Sequence, residues 1–454
     1  MRLELEIALA RAAGRLSRAA GRGGGTTLPG KLLAAIDPAA VGTLAGRLVA
    51  GNAVISATNG KTTTAAMAAE ILSPRFRLAH NAAGANLVSG VASALVAADN
   101  ADLGLFEVDE AALPELIRSV RPHVISLGNL FRDQLDRYGE LELVAERWRE
   151  AVNGLGDDTW LIVNADDPLV AELGGTRKRG VTFGVDDRGV AGGDLQHAAD
   201  SKYCVRCGTP YEYAAAYVGH LGDYRCPACG HGRPALDVAA RAIEFAGVES
   251  VSFDLCTPEG SQRVRLRVPG LYNVYNALAA AAVTRAFGVP LDAIVDGLER
   301  AEPAFGRFER IAMEQKTLLV LLIKNPAGAN EVLRTLMRGE APTVAVVALN
   351  DGIADGRDVS WVWDVDFERL TAVLDRVIVS GERAAELGLR FAYGGMDDEA
   401  IEVVPDLADA LDRGLELTER GDELAFLPTY TAMLELQRVV ADRGHTRPYW
   451  ERVV

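Results

Sequence analysis

One run constrains this chain more than any other: Ala53-Val54-Ile55-Ser56-Ala57-Thr58-Asn59-Gly60-Lys61-Thr62-Thr63-Thr64. A short apolar stretch gives way to a tight turn and then to a helical pattern, so the run reads as strand, loop and helix. At such a junction the first helical N–H groups have no intrahelical partner and the helix dipole is positive, which together cradle phosphate. A Lys that reaches the outer phosphates and a hydroxyl that ligates Mg²⁺ complete the device. Gly60, Lys61 and Thr62 supply those parts, flanked by Thr58, Asn59 and Thr63. The generic pattern also wants a Gly five residues before Gly60, where this chain has Ile55. The strand ahead and the helix behind favour a phosphate loop over a chance N-cap.

From Gly51 to about Arg300 apolar runs alternate with helical stretches, the pattern of a parallel sheet covered by helices. Strands are expected at Ala53 to Ala57, Leu103 to Val108, Val124 to Leu127 and Trp160 to Val163, with helices at Thr62 to Ile71, Ala111 to Arg118 and Leu141 to Val152. The strand ending in Glu107, Asp109 and Glu110 delivers carboxylates to the carboxyl edge of the sheet, where ligands of open α/β sheets bind. Glu107, inside the strand, is the candidate Mg²⁺ ligand; Asp109 and Glu110 serve equally well as caps of the next helix. A second alternating block has strands near Thr317 to Ile323, Thr343 to Ala348, Arg376 to Val379 and Glu423 to Leu427. The Pro and Gly of Pro303 to Arg310 break the pattern. The chain is therefore divided into residues 1–304, an ATP-binding unit, and 305–454, a C-terminal α/β unit.

Four of the five cysteines lie in an insertion at about 200–234 that has almost no aliphatic core. Cys204-Val-Arg-Cys207 and Cys226-Pro-Ala-Cys229 are paired C-x2-C motifs, the spacing of a four-thiolate zinc ribbon. With four protein ligands such a zinc is structural. The fifth, Cys256, reads as a small buried hydrophobe. The net charge of −16 argues against nucleic acid as a partner, because no basic patch longer than Arg177-Lys178-Arg179 offsets it. The start, MRLELEIALARAAGRLSRAAG, reads as an amphipathic helix rather than a signal peptide, since Glu4 and Glu6 interrupt its apolar core. No apolar run approaches the roughly 18 residues that span a bilayer, so a cytoplasmic protein is expected, with room for a substrate on the membrane surface.

Gly60-Lys61-Thr62 with Glu107, the segment Leu127 to Gly139 (LGNLFRDQLDRYG), Asn164-Ala165-Asp166-Asp167-Pro168 and Gly270 to Ala280 (GLYNVYNALAA) together resemble the central domain of the Mur ligases. Three further features resemble the MurT branch of that family: the four-Cys insertion, Asp355 to Asp364 (DGRDVSWVWD) and Leu427 to Leu434 (LPTYTAML). The resemblance covers nearly the whole chain. It implies a Mur ligase-like central domain followed by a Rossmann-like C-terminal domain, and ATP-driven formation of an acyl phosphate that an amine attacks. It places Asn164 near adenine and Arg307 on the nucleotide. For the MurT branch it implies amidation of the α-carboxyl of D-glutamate in the lipid II stem peptide, with ammonia from a GatD-type glutaminase.

Departures from the amino-acid-adding members are Gln134 for a His, Tyr272 for another His, and Arg149 at the expected place of a carbamylated Lys. They disfavour the competing reading as an amino-acid-adding or folylpolyglutamate-type ligase. Net charge disfavours a third reading, a nucleotide-switched zinc-ribbon binding module. The six histidines (80, 123, 197, 220, 231 and 445) form no dyad with Cys256, so a glutaminase nucleophile must come from another chain. The resemblance implies that an Asp of this chain completes the partner's Cys-His triad. Asp355 is the candidate and Asp358 the runner-up, against the plainer reading of both as turn caps. Lys324, Trp361 and Trp363 are noted as possible substrate or interface residues.

Overall fold

A computed structural model describes residues 2–19, 27–81, 85–98, 100–133, 141–175, 177–192, 199–302, 307–339 and 341–447. Chain order gives β1 (Asn52–Ser56), β2 (Leu78–His80), β3 (Leu103–Val108), β4 (Val124–Leu127), β5 (Trp160–Asn164) and β6 (Gly180–Val185). The hairpin β7 (Glu212–Val218) and β8 (Leu221–Arg225) follows, then β9 (Val238–Ala246), β10 (Ser250–Thr257) and β11 (Gly260–Leu266). These build a nine-stranded sheet in the order β11-β10-β9-β6-β5-β4-β1-β3-β2, with β7 and β8 forming a separate ribbon. Parallel pairing runs from β2 to β9. The alternating pattern anticipated β1, β3, β4 and β5 of that part; it missed β2, β6 and β9, and the edge, where β10 pairs antiparallel with both β9 and β11. Those three strands carry polar residues on one side, as an exposed antiparallel edge allows.

Side chains of β1 alternate between two cores. Ala53 and Ile55 pack with the helix Lys61–Leu72 and the Ala-rich helix Leu271–Ala286 on one face. Val54, with Phe106 and Val108 of β3, packs on the other face against Val91, Leu116 and Trp148. The N-terminal segment forms the helix Arg2–Ala19, whose Ile7 and Ala10 join this second core. The sheet's neighbours of β1 are β3 and β4, so the chain leaves β1 where the winding direction reverses, the place where open α/β sheets bind ligands.

The second sheet takes β12 (Arg307–Met313), β13 (Lys316–Leu321), β14 (Val344–Ala348), β15 (Arg376–Ser380), β16 (Ile401–Val403) and β17 (Glu423–Pro428) in the order β12-β13-β17-β14-β15-β16. Only β12 is antiparallel to its neighbour. It too is covered on both faces by helices. The proposed cut near residue 305 falls in 303–306, outside the described residues.

The insertion differs from expectation. Beside the cysteines it has a small aromatic core of Tyr211 and Tyr224 with Cys204 and Cys226. The far end of its hairpin, Tyr217, Val218 and Leu221, belongs to the main core of the first sheet. Beside the cysteines the apolar content is aromatic, while the aliphatic Ala215, Val218 and Leu221 of the insertion go to the main core.

Candidate functional site

Gly60 opens the helix Lys61–Leu72 with φ +87°, a backbone that costs side-chain-bearing residues 1–2 kcal/mol or so. A Cβ there would stand 2.0 Å from Asn276 Oδ1, so the position needs Gly on two counts. Asn276, on the helix Leu271–Ala286, also accepts a hydrogen bond from Thr64 Oγ1 (3.3 Å). From the opposite side Asn129 brackets the loop: its Oδ1 accepts from Asn59 N (2.9 Å) and its Nδ2 donates to Asn59 O (3.0 Å). Thr58 N donates to Asn129 O (2.9 Å), and Thr58 Oγ1 accepts from Phe131 N (3.1 Å). Asn59 and Asn325 exchange side-chain amide bonds of 3.2 and 2.9 Å. Asn325 caps the helix Pro326–Leu336 behind β13, so both halves of the chain meet at this loop.

Lys61 is buried. Its Nζ donates to Ala57 O (3.1 Å) and Thr58 O (3.4 Å) and pairs with Glu110 Oε2 at 3.0 Å. Burial opposes its charge, but Glu110, Asp109, Glu107 and Asp133 outweigh burial and hold the ammonium pKa above its ordinary value. Burial likewise opposes Glu110, yet Lys61 and Lys324 bring it below the usual carboxylate range. Lys324 Nζ lies 2.5 Å from Asp133 Oδ2; burial nevertheless lifts the Asp133 pKa, with Lys324 only partly offsetting it. Four buried carboxylates thus face two lysines. Asp109 also accepts from Ala111 N (3.1 Å) at the start of the following turn, whereas Glu110 serves the lysine and not a cap.

Thr62 Oγ1 donates to Glu107 Oε1 (2.7 Å). The backbone of Glu107 is clamped by Asn81, whose Oδ1 accepts from Glu107 N (2.9 Å) and whose Nδ2 donates to Glu107 O (2.7 Å). The second oxygen, Glu107 Oε2, is buried and has no hydrogen-bond partner. A buried carboxylate oxygen left over beside a loop hydroxyl fits a hard divalent cation, which takes oxygen ligands. Thr62 and Glu107 are therefore brought together as the sequence suggested.

Asn164 ends β5 and is fully buried; its Oδ1 accepts from Asp166 N (3.1 Å), and its Nδ2 has no partner in a small cavity shared with Ser56, Ser126, Phe183, Tyr275 and Asn276. Thr63 is buried within the helix. Arg307 begins β12 opposite Leu321; its side chain, like Gln134, lies outside the described residues. Tyr272 is half-buried against Phe308, ring centroids 6.4 Å apart. Arg149 is exposed, and the helix Leu141–Asn153 turns Trp148 inward, its indole N–H donating to Glu110 O (2.9 Å). Asn129, Asn276 and Asn325 were missed as site residues, although the first two stand in the motifs 127–139 and 270–280 and the third beside Lys324. An amide side chain gives no charge signal in sequence, and only the fold brings three of them around one loop.

The sulfurs of Cys204, Cys207, Cys226 and Cys229 all lie within 4.8 Å of one another. Cys204 and Cys229 are 3.6 Å apart and Cys207 and Cys226 3.4 Å, near the edge of about 3.8 Å that a tetrahedron of ligands about 2.3 Å from zinc would have. Each pair sits on a knuckle turn, closed by Gly208 N to Cys204 O and Gly230 N to Cys226 O. The donor set fits a tetrahedral soft-ligand metal. Cys256 is half-exposed, beside Ser261 Oγ (3.3 Å).

Asp355 is buried, its Oδ1 accepting from Thr431 N (2.9 Å) and its Oδ2 from Thr431 Oγ1. Burial raises its pKa against those hydrogen bonds. Asp358 is exposed and accepts from Ser360 N (2.9 Å); the Ser360 hydroxyl and then this N–H lower its pKa. Trp361 packs against the core of the second sheet, while Trp363 is half-exposed and stacked edge-on with Tyr393.

Two helix-covered sheets, with a Gly-Lys-Thr loop at the switch point of the first and a buried Glu beside its hydroxyl, make this a Mur-type ligase. Residues 55–226 match the Mur ligase middle domain and residues 322–433 the MurT ligase C-terminal family. Solved structures of the same fold include a pseudomurein peptide ligase type C from Methanothermus fervidus (TM-score 0.69, 21% identity, 86% of this chain and 78% of that one). Another is MurF ligase from Thermotoga maritima in complex with ADP (0.64, 16%, 89% and 85%). The subunit MurT of lipid II isoglutaminyl synthase (glutamine-hydrolyzing) from Staphylococcus aureus is 33% identical over 443 residues, covering 95% of this chain and 96% of that protein. Its counterpart from Streptococcus pneumoniae is 32% identical over 437 residues, 94% of each. The chain belongs to the MurT family.

Proposed function

We propose that this chain is the synthetase subunit of a lipid II isoglutaminyl synthase, amidating the α-carboxyl of D-glutamate in the stem peptide at the expense of ATP. The observation that carries this is similarity along both full lengths to MurT subunits, joined to the Lys61, Thr62 and Glu107 geometry at the loop. Residues 1–304 are read as the ATP-binding unit and 305–454 as the C-terminal unit.

Thr58, Asn59, Gly60 and Thr63 shape the loop around the nucleotide phosphates, and Lys61 exchanges Glu110 for their oxygens. Mg²⁺ held by Thr62 and Glu107 supplies positive charge to the transferring phosphoryl group. Such charge is needed: the carboxylates of Glu107, Asp109, Glu110 and Asp133 exceed the two lysines by two charges, and a nucleotide triphosphate adds more of the same sign. Asn164 and Arg307 are assigned to the nucleotide. The substrate carboxylate attacks the γ-phosphorus, releasing ADP and leaving an acyl phosphate; ammonia then attacks the acyl carbon, phosphate departs, and the amide sheds the extra proton. A four-cysteine zinc is assigned a structural role.

The ammonia comes from a partner glutaminase of GatD type, with Cys and His of its own. Asp355 is assigned as the acid that orients the partner's imidazole. A triad acid is held by neighbouring donors and shielded from water, as Asp355 is by Thr431, and the exposed Ile353 and Tyr430 flank it as apolar contact surface. The helix Arg2–Ala19 exposes Leu5, Leu9 and Leu16, which repeat on one helical face. That stripe supports peripheral contact with the membrane face that carries lipid II; no described helix is long and apolar enough to cross a membrane. The test incubates the chain with ATP, Mg²⁺ and lipid II, plus ammonium or glutamine, and reads products by mass spectrometry. Amidation with ammonium alone is expected; incorporation of a supplied amino acid instead would overturn the reading.

A further inference from the structure

The loop that brackets the nucleotide loop, Gly128 to Asp133, is itself held from behind by the hairpin of β7 and β8. The hairpin β7–β8 has the cysteine tetrad beside its open end, where Glu212 pairs with Arg225, and closes at Gly219 and His220. At about 3.3 Å per residue its seven-residue strand spans some 20 Å. The closed end is fitted against Phe131. Gly219 has φ +56°, and a Cβ on it would stand 2.8 Å from Phe131 Cε1. The His220 ring lies 4.8 Å from that of Phe131, centroid to centroid.

His220 is completely buried, yet neither ring nitrogen has an aligned hydrogen-bond partner. A polar ring in that state is expensive, so packing alone would favour an apolar residue. What the imidazole does have is Asp167: Nε2 lies 3.3 Å from Asp167 Oδ2, the same oxygen that accepts from Leu130 N (2.9 Å). Leu130 and Phe131 lead directly to the loop, through Phe131 N to Thr58 Oγ1 and Asn129 to Asn59. The hairpin is tied at two more points: Gly222 N donates to Asp166 O (2.9 Å), and Tyr217 O accepts from Arg334 of the helix Pro326–Leu336.

We propose that the hairpin is a strut between the cysteine tetrad and the nucleotide loop, with His220 as a positioning residue that acts on Thr58 and Asn59 through Asp167, Leu130 and Phe131. The metal-filled tetrad fixes one end, so that its loss loosens the bracket at the other. The inference rests on the reading of the loop as an ATP site.

The test titrates ADP with Mg²⁺ into the full-length chain by calorimetry, using wild type, His220→Leu, His220→Gln and Lys61→Ala. His220→Leu lowers ADP affinity about tenfold, the scale of one hydrogen bond lost from the bracket, without lowering the thermal midpoint. His220→Gln, which keeps an N–H for Asp167, recovers most of the affinity. In ammonium-driven amidation the KM for ATP rises in step while kcat stays within about twofold of wild type. Stripping the tetrad metal with a chelator, followed by metal analysis, weakens ADP binding in wild type and adds little in His220→Leu. Should His220→Leu fail to fold, amide exchange in stripped wild type decides: faster exchange at Thr58, Leu130 and Phe131 supports the strut, unchanged exchange overturns it. ADP affinity within twofold of wild type in folded His220→Leu or in stripped chain also overturns it. A wild type that binds no ADP, like Lys61→Ala, refutes the ATP-site reading instead.

Discussion

Replacing Gly60 by Ala tests the nucleotide loop at its most constrained backbone. Holding an L-residue at φ +87° costs about 1–2 kcal/mol. The new methyl, 2.0 Å from Asn276 Oδ1, must also displace that amide from Thr64 Oγ1 and Asn273, two bonds worth about 0.5 kcal/mol each at the weak end of the usual range. The total is about 2–3 kcal/mol. The cost can surface in two places. If the loop keeps its shape, Gly60→Ala lowers the free energy of urea unfolding by that amount. If the loop relaxes, stability is spared and ADP binding must restore the strained shape, a loss of roughly 30- to 150-fold in affinity. The two losses, measured on the same preparation by urea titration and calorimetry, should therefore add to about 2–3 kcal/mol. A sum below about 0.5 kcal/mol would mean that neither the left-handed turn nor the Asn276 contact constrains the loop.

Glu107→Gln keeps the hydrogen bond to Thr62 but weakens a cation ligand, so the Mg²⁺ concentration for half-maximal amidation should rise at least tenfold, read from Mg²⁺ titrations at fixed ATP; an unchanged requirement would remove Glu107 from the metal site. Asp355→Asn should abolish glutamine-dependent amidation by the reconstituted complex and leave ammonium-dependent amidation intact; equal loss of both would assign Asp355 to folding or to the synthetase reaction. Asp166 is raised to about 6 by burial, against Arg233 and Tyr275. A folded pKa above the unfolded value means the native state binds the extra proton, so this group's stabilising contribution is full below about pH 4 and is lost as pH rises through 6. Relative to Asp166→Asn, wild type should therefore lose about 2–3 kcal/mol of unfolding free energy between pH 4 and pH 6.5; a constant difference across that range would refute the shift.

The parallel strands β1, β3, β4 and β5 were legible because each is a short apolar run bounded by a helix with its own period; β2, only three residues long, and β6, which contains Gly184, were not. Predicted limits at Leu103 to Val108 and Val124 to Leu127 coincide with β3 and β4. The edge strands β9 to β11 were not legible, since polar residues such as Arg241, Glu244, Asp254 and Arg263 interrupt their apolar runs. Chemistry carried by charge or sulfur was visible too: Lys61, Thr62 and Glu107 meet, and the four cysteines converge. What stayed hidden depends on which way a helix turns. Arg149 and Trp148 are neighbours in sequence, and one register step decides that the indole, not the guanidinium, reaches Glu110. His220 was invisible for a similar reason, its partners Phe131 and Asp167 lying 89 and 53 positions away along the chain.

The junction at Lys324 and Asn325 joins the two halves of the chain with unlike fastenings set side by side. Lys324 meets Asp133 as an ion pair, and the next residue trades neutral amide bonds with Asn59. Acid acts on the first by protonating Asp133 and leaves the second alone. The amide pair thus holds the nucleotide loop to the second half of the chain by a contact that does not depend on any group's charge.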